Sequence, residues 1–433
     1  MTKKTVWLIN EGENLPGDDN NPRLQRMGLL AYEVSKLDGV EVVWWQSTFN
    51  HYQKKFRWHE DKTVQLKDNL KLIMLHSYGY SKNVCLRRLA HEWKTAHRFY
   101  KLAEHEPLPD VMVAAMPTIA QAHYVVKFGR KHGIPVLVDL RDLNPDVFVS
   151  PFRGLIRQCV KIGIKPLQWM LGNALKHADG LIGTTEPYLN WGLNYAKRPK
   201  GDNDRVFFVS YSDSGVPTKL NNEDKWGKYL GYEGIVCCYF GQFGRLMDFD
   251  TVIDAAELCQ NNGVKALFLL CGEGELLEHC RGKVKERGLS NVELPGWVNK
   301  TDIADIGFVA DAGLMAYQND ENFNMQMPNK FSEYLSLRLA ILLQPTGVME
   351  KVIADHQCGV RYDNAQELYE AVKGLAEDRE KLELYKKNSK LSSRNTFPWR
   401  RYIKNMVNTS LKTQRNESEI CCSWLWLGWT DHR

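Results

Sequence analysis

A chain of 433 residues that is 43% apolar, 25% charged and 11% aromatic has material for two or three cores, which excludes a single small domain and a disordered polymer. Its formal charge of +5 hides an asymmetry: 29 Lys and Arg face 19 Asp and Glu in residues 1–200, against 28 and 33 in the remainder. A basic front half either meets an anionic partner (phosphate, lipid headgroup or nucleic acid) or is a solvated basic surface.

The start, MTKKTVWLIN, runs straight into a strand pattern with too short an apolar region for a secretory leader, so the expectation is a cytoplasmic chain. Apolar runs bounded by turn residues predict strands over 5–9, 40–45, 70–75, 110–115, 135–139, 180–183 and 205–209. Helical periodicity falls between them, over 22–37, 84–102, 118–132, 154–177 and 187–196. A polar Gly/Pro-containing stretch, 211–228, reads as an interdomain linker. The rhythm then restarts, with strands over 234–240, 265–271, 292–294, 312–315 and 340–343. Helices follow over 248–262, 275–287, 330–337, 347–354 and 365–375. Strands alternating with helices predict an α/β protein with parallel sheets covered on both faces. The segment 397–412 reads as one more amphipathic helix, and the apolar run 420–429 is either an unstructured terminus or a membrane-surface contact. No window reaches the roughly 18–20 apolar residues of a membrane-spanning helix. Ten cysteines without a Cys-x-x-Cys or Cys/His pair fit a reducing compartment and no zinc cage.

The chemistry-bearing motifs lie in the second half. Gly241-Gln-Phe-Gly244-Arg245 follows a strand and precedes a helix, where backbone N–H groups and a helix N-terminus receive anions and Arg245 offers a charged fork. Asp248-Phe-Asp250 mimics a metal-binding Asp-x-Asp and is expected to cap the helix instead. Gly272-Glu-Gly274 repeats the glycine turn but lacks the third glycine of a dinucleotide fingerprint. Pro295-Gly-Trp297-Val298 ends the next strand, so Trp297 either flanks a flat base or fills a core. In Met327-Pro328-Asn329-Lys330-Phe-Ser-Glu333, a lysine in the first helical turn opposes the helix dipole unless an anion is bound there. Glu333 lies three residues on, on the same face, where a carboxylate accepts ribose hydroxyls.

In this order FGQFGR, LLCGEGE, LPGWV and MPNKFSEYLS resemble the C-terminal domain of family 4 glycosyltransferases. NNPRLQRMGLLAYEVSKLDGVEVVWWQSTFNH and IPVLVDLRDLNPD resemble their N-terminal domain, and the bacterial enzymes that build O-antigen, capsule or exopolysaccharide are the nearest likeness. The resemblance implies the GT-B fold, two doubly wound Rossmann-like domains facing across a cleft. It covers the chain to about residue 412, with an acceptor-binding domain (1–212), a nucleotide-sugar-binding domain (213–396) and a helix crossing back (397–412), and the tail beyond (413–433) is expected to be disordered. It also implies a retaining transfer from a nucleotide-diphosphate-sugar donor to a saccharide acceptor, including polyprenyl-diphosphate-linked ones, with no metal and no other cofactor, while the lack of an RNA-binding motif or stacking-aromatic pattern argues against nucleic acid.

By position, Arg245 and Lys330 match the diphosphate-binding pair and Glu333 the ribose-binding glutamate. Gly17 is expected to approach phosphate or sugar, and Asp142 either orients the acceptor or caps a turn. Gly241, Gly244, Gly272, Gly274, Trp297, Val298, Pro328 and Asn329 complete the expected donor site. Departures from the family pattern are Met325, where an acid is expected and which leaves the sugar-contacting carboxylate absent or displaced to Glu321, Asn144 in place of Trp, and the Leu339-to-Leu343 run in place of Gly-x-Pro-Val. Two basic stretches, 71–101 and 150–176, either face an anionic membrane from its cytoplasmic side or pack on their own sheet. The alternative functions are a GT-B sugar-nucleotide epimerase, which needs no acceptor, and a non-catalytic binding protein.

Overall fold

The computed structural model describes residues 3–18, 24–149, 152–208 and 217–395. They fall into two compact units, one ending at Phe208 and one beginning at 217. The first unit holds strands β1 (Lys4–Ile9), β2 (Val40–Ser47), β3 (Phe49–Asn50), β4 (Lys55–Phe56), β5 (Lys62–Lys67), β6 (Leu70–Leu75), β7 (Val111–Ala115), β8 (Val136–Leu140), β9 (Gly180–Gly183) and β10 (Arg205–Val206). Eight of them form one sheet in the order β10-β9-β8-β7-β1-β2-β6-β5, parallel throughout except for β5 against β6. Trp7, Trp45, Phe99 and Phe128 stack beneath the helices of one face, with Trp7 and Trp45 centroids 5.2 Å apart. Trp44 points the other way, under the helix Arg26–Val34, because alternate strand residues face opposite sides.

The second unit holds β11 (Ile235–Gln242), β12 (Ala266–Glu273), β13 (Val292–Gly296), β14 (Ala312–Met315), β15 (Ala340–Leu343) and β16 (Gly359–Arg361), all parallel in the order β13-β12-β11-β14-β15-β16. Its four inner strands, β11, β12, β14 and β15, are apolar on both faces for most of their length, as a sheet covered on both sides requires. Strand order reverses at β11, which lies between β12 and β14, and the crevice outside the strand ends at such a reversal is where doubly wound sheets hold ligands.

Several predicted elements are corrected. The expected helix over 154–177 is two, Gly154–Gly163 and Lys165–Lys176, because Pro166 starts a new helix and cannot donate to the old one. The polar edge strand β5, the short β16 and the helices Lys300–Val309 and Arg379–Asn395 were not anticipated. The expected tail elements 397–412 and 413–433 and residues 211–216 of the expected linker lie outside the described residues.

Candidate active site

At the reversal point, β11 and β12 end side by side, with Gly241 opposite Gly272 and Gln242 opposite Glu273. The turns beyond them are latched by Phe243 N–H to the Glu273 carbonyl (2.8 Å) and Leu276 N–H to the Phe243 carbonyl (3.1 Å). A Cβ on Gly272 would lie 1.7 Å from the Gly241 oxygen, and one on Gly274 would lie 2.4 Å from the Phe243 oxygen. Both glycines also have φ near +145 to +148°, which side chains disfavour. Packing of one turn on the other therefore already requires them. Gly244 differs, since a Cβ there would meet nothing within 4 Å and leaves open space.

Gly241 (φ +149°) has another neighbour: its absent Cβ would lie 2.8 Å from Lys330 Nζ. The strand end thus leaves room for an ammonium group. Lys330 is delivered by the helix Asn329–Ser336, capped by Pro328 in extended backbone, so it stands in the first turn, where its charge opposes the helix dipole. Tyr334 Oη donates to the Leu314 carbonyl (3.3 Å) and ties this helix to β14. Lys330 Nζ lies 3.5 Å from the Tyr239 ring centroid and 5.4 Å from that of Tyr317. Burial pushes its pKa down to about 7, with Glu333 pulling the other way. Glu333 is itself buried one turn on, so the two are not a surface pair.

Arg245 stands on the same sheet edge in a different state. Its side chain is 83% exposed and its Nε lies 2.8 Å from Glu275 Oε2. The backbone from 245 to 248 is zipped to 316–318: the Gln318 N–H donates to the Leu246 carbonyl, Met247 bridges Tyr317, and the Asp248 N–H donates to the Ala316 carbonyl. Tyr317 therefore links the Arg245 loop to Lys330, while the guanidinium itself turns to Glu275. Asp248 caps its helix through Thr251 N–H (3.2 Å) and Asp250 pairs with Lys283 (2.7 Å), so the Asp-x-Asp is a cap and an exposed ion pair. Among the described residues no group of three or more His, Cys, Asp or Glu is placed to hold a metal. Trp297 is mostly exposed at the end of β13, which settles against a core role, and Val298 beside it is buried. Met325 ends the short helix Glu321–Met325.

In the first unit, Gly17 (φ +89°) has no heavy atom within 4 Å of a would-be Cβ, and the loop around it is pinned by Asp18, which pairs with Arg57 at 2.5 and 2.7 Å. Asp142 is half-buried and accepts the Leu143 N–H, and burial raises its carboxyl above the ordinary range. Beside it runs a network that sequence spacing does not reveal. Fully buried Asp139, at the end of β8, accepts two bonds from Arg26 (3.0 and 3.1 Å) and one from Arg141 (2.6 Å). Arg141 continues to Glu13, which accepts the Met27 and Gly28 N–H groups at 3.1 Å at the start of the helix Arg26–Val34. Burial alone would raise the Asp139 carboxyl, but the two guanidinium groups outweigh it and hold it below the usual range. The other residues missed from sequence are Glu275, Tyr239 and Tyr317. Only Glu275 gave a signal, as the acid directly after the second glycine turn.

Comparison with known proteins places this geometry in context. Residues 222–392 match the family model described as glycosyl transferases group 1. No curated protein matches the chain. Sucrose-phosphate synthase from Thermosynechococcus elongatus is similar in structure at a TM-score of 0.69 and 13% identity, over 96% of this chain and all of that one. Anabaena Alr3699/HepE in complex with UDP-glucose matches at 0.63 and 14% identity, over 94% of this chain and 99% of that one. WaaG, a glycosyltransferase involved in lipopolysaccharide biosynthesis, matches at 0.62 and 13% identity, again over 94% and 99%. Likeness at such identities shows the fold, two Rossmann-like domains of the GT-B type.

Proposed function

We propose that this glycosyltransferase, with its group 1 domain on a GT-B scaffold, moves a sugar from a nucleotide-diphosphate-sugar to a saccharide acceptor. The carrying observation is Lys330, an amino group buried beside side-chain-free Gly241 at the reversal of the sheet. A buried cation at a helix N-terminus is poorly placed alone and well placed once a phosphate faces it.

In this reading Lys330 and Arg245 neutralise the departing diphosphate, Arg245 leaving Glu275 to do so. A preorganised donor of this kind contributes about 3–4 kcal/mol to the transition state. No metal is needed, since the two cations supply the charge. Pro328 and Asn329 open the helix toward the phosphates, Gly244 leaves the approach open, and Glu333 accepts the ribose hydroxyls. Trp297 and Val298 are assigned to the base, Gly17 to the sugar and phosphate, and Asp142 to the acceptor hydroxyl. The leaving phosphate takes the acceptor proton on the face it departs from, which gives retention. A lipid-linked acceptor, a cytoplasmic membrane face and a role in surface polysaccharide complete the reading. The structural likeness to a UDP-glucose complex and to a lipopolysaccharide enzyme supports it.

The test is a panel of nucleotide-sugars incubated with bacterial membrane extract and read by mass spectrometry. At least one donor is expected to yield a glycosylated product, with EDTA leaving the rate unchanged. Lys330→Ala should lower the rate about 10²–10³-fold with an unchanged circular dichroism spectrum. Isomerisation of the donor without any acceptor, or full activity in Lys330→Ala, contradicts the proposal.

A further inference from the structure

Helices of a globular protein ordinarily bury one stripe on a core, yet Gly154–Gly163 buries no residue at all. Leu155 is 85% exposed, Ile156 62% and Ile162 65%, and Trp169 in the following helix Lys165–Lys176 is 71% exposed. Leu155, Cys159 and Ile162 recur at i, i+4 and i+7 with Ile156 beside them, so they form one apolar stripe. Arg157 and Lys161 recur at i and i+4 on the opposite side, and Lys165 opens the following helix. No acid occurs between Asp146 and Asp179. Among the described residues, no side-chain hydrogen bond or ion pair engages Arg153, Arg157, Lys161 or Lys165.

The other basic stretch also exposes apolar residues (Val84, Leu86, Leu89 and Trp93), but its helix Leu86–Leu102 buries His91, Thr95, Ala96 and Phe99 on its own unit. Five of its seven cations are engaged within the unit: Lys71 with Glu106, Arg87 with the Tyr78 and Gly79 carbonyls, Arg88 with Glu92, Arg98 with Asp61, and Lys94 over the Tyr78 ring at 4.0 Å. The two stretches look equally basic in sequence, and the structure separates them.

We infer that the helix Gly154–Gly163, with Trp169, is a seat for an anionic phospholipid bilayer. Its apolar stripe enters the headgroup boundary while its cations meet lipid phosphates, as interfacial amphipathic helices do. Charge complementarity selects this occupant, because a second copy of so basic a segment would repel the first. An acceptor carried on a lipid, as in the proposed function, would be met at this surface, but the contact itself stands on the exposed helix.

The experiment is flotation of the full-length chain with phosphatidylcholine vesicles, with and without phosphatidylglycerol, at low and high salt. The wild type is expected to float only with phosphatidylglycerol, and less at high salt. Ile156→Ser/Ile162→Ser should abolish flotation, and Arg157→Gln/Lys161→Gln should weaken it by about fivefold per charge. Leu86→Ser should float like wild type. UDP binding by calorimetry should be the same in all, so a failed membrane contact is distinguishable from a failed assignment of the donor site. Equal flotation with and without phosphatidylglycerol overturns the inference. So do patch variants that float like wild type, or a wild-type dimer that Ile156→Ser/Ile162→Ser dissociates.

Discussion

Burial lowers the Lys330 pKa to about 7 from a starting value of 10.5. Between those two values the unfolded chain holds a proton that the folded chain has lost. Lys330 therefore opposes folding most below pH about 7, and its contribution improves as pH rises toward about 10.5. In the proposed function a bound diphosphate reverses the preference, because it would face the charged form of Lys330. Binding of UDP near pH 8 should then take up roughly one proton in wild type and none in Lys330→Met. Calorimetry in two buffers of different ionisation enthalpy reads this directly, and buffer-independent heats in the wild type would contradict it. Arg245 is exposed and already paired with Glu275, so the role proposed for it is a change of partner.

Two glycines in adjacent turns separate architecture from ligand space. Gly272→Ala drives a Cβ into the Gly241 carbonyl at a positive φ, whereas Gly244→Ala projects one into open solvent. The first should lower the melting temperature by several degrees. The second should leave stability within about 0.5 kcal/mol while weakening UDP. The same melting temperature for both variants would show that the latch between the turns contributes nothing. These turns were legible because a strand, a glycine and a helix follow one another closely along the chain. Less legible was anything formed across distance or by polar residues. The helix Lys300–Val309 opens on an Asn299–Asp302 capping box that sits in what otherwise reads as a glycosylation sequon. β5 is too polar for an apolar-run criterion, being a half-exposed edge. The helix Arg379–Asn395 is polar over most of its length and is held through such contacts as Ser389 Oγ to the Leu339 carbonyl (2.7 Å), invisible to periodicity.

At the scale of the molecule, the alternation of strands and helices predicted two parallel-sheet units, and both are present. Sequence could not supply strand order. The reversal at β11 gives Gly241 its position beside Lys330, 89 positions later in the chain. Nor did spacing predict that Arg26 would clamp Asp139 from 113 positions away. Charge asymmetry was readable as a sum, while its division into mostly engaged cations over 71–101 and cations without a described partner on Gly154–Gly163 needed side-chain positions. The residues of the candidate site could be singled out in sequence because they cluster in short motifs.

The most direct test compares UDP with uridine by calorimetry in wild type, Lys330→Met, Arg245→Met and the double variant. UDP affinity should fall at least about tenfold in each single variant, with the double variant losing less than the two losses combined, while uridine binding stays unchanged. UDP affinity unaffected by either substitution, or uridine weakened equally with UDP, would contradict joint recognition of one diphosphate by the two cations.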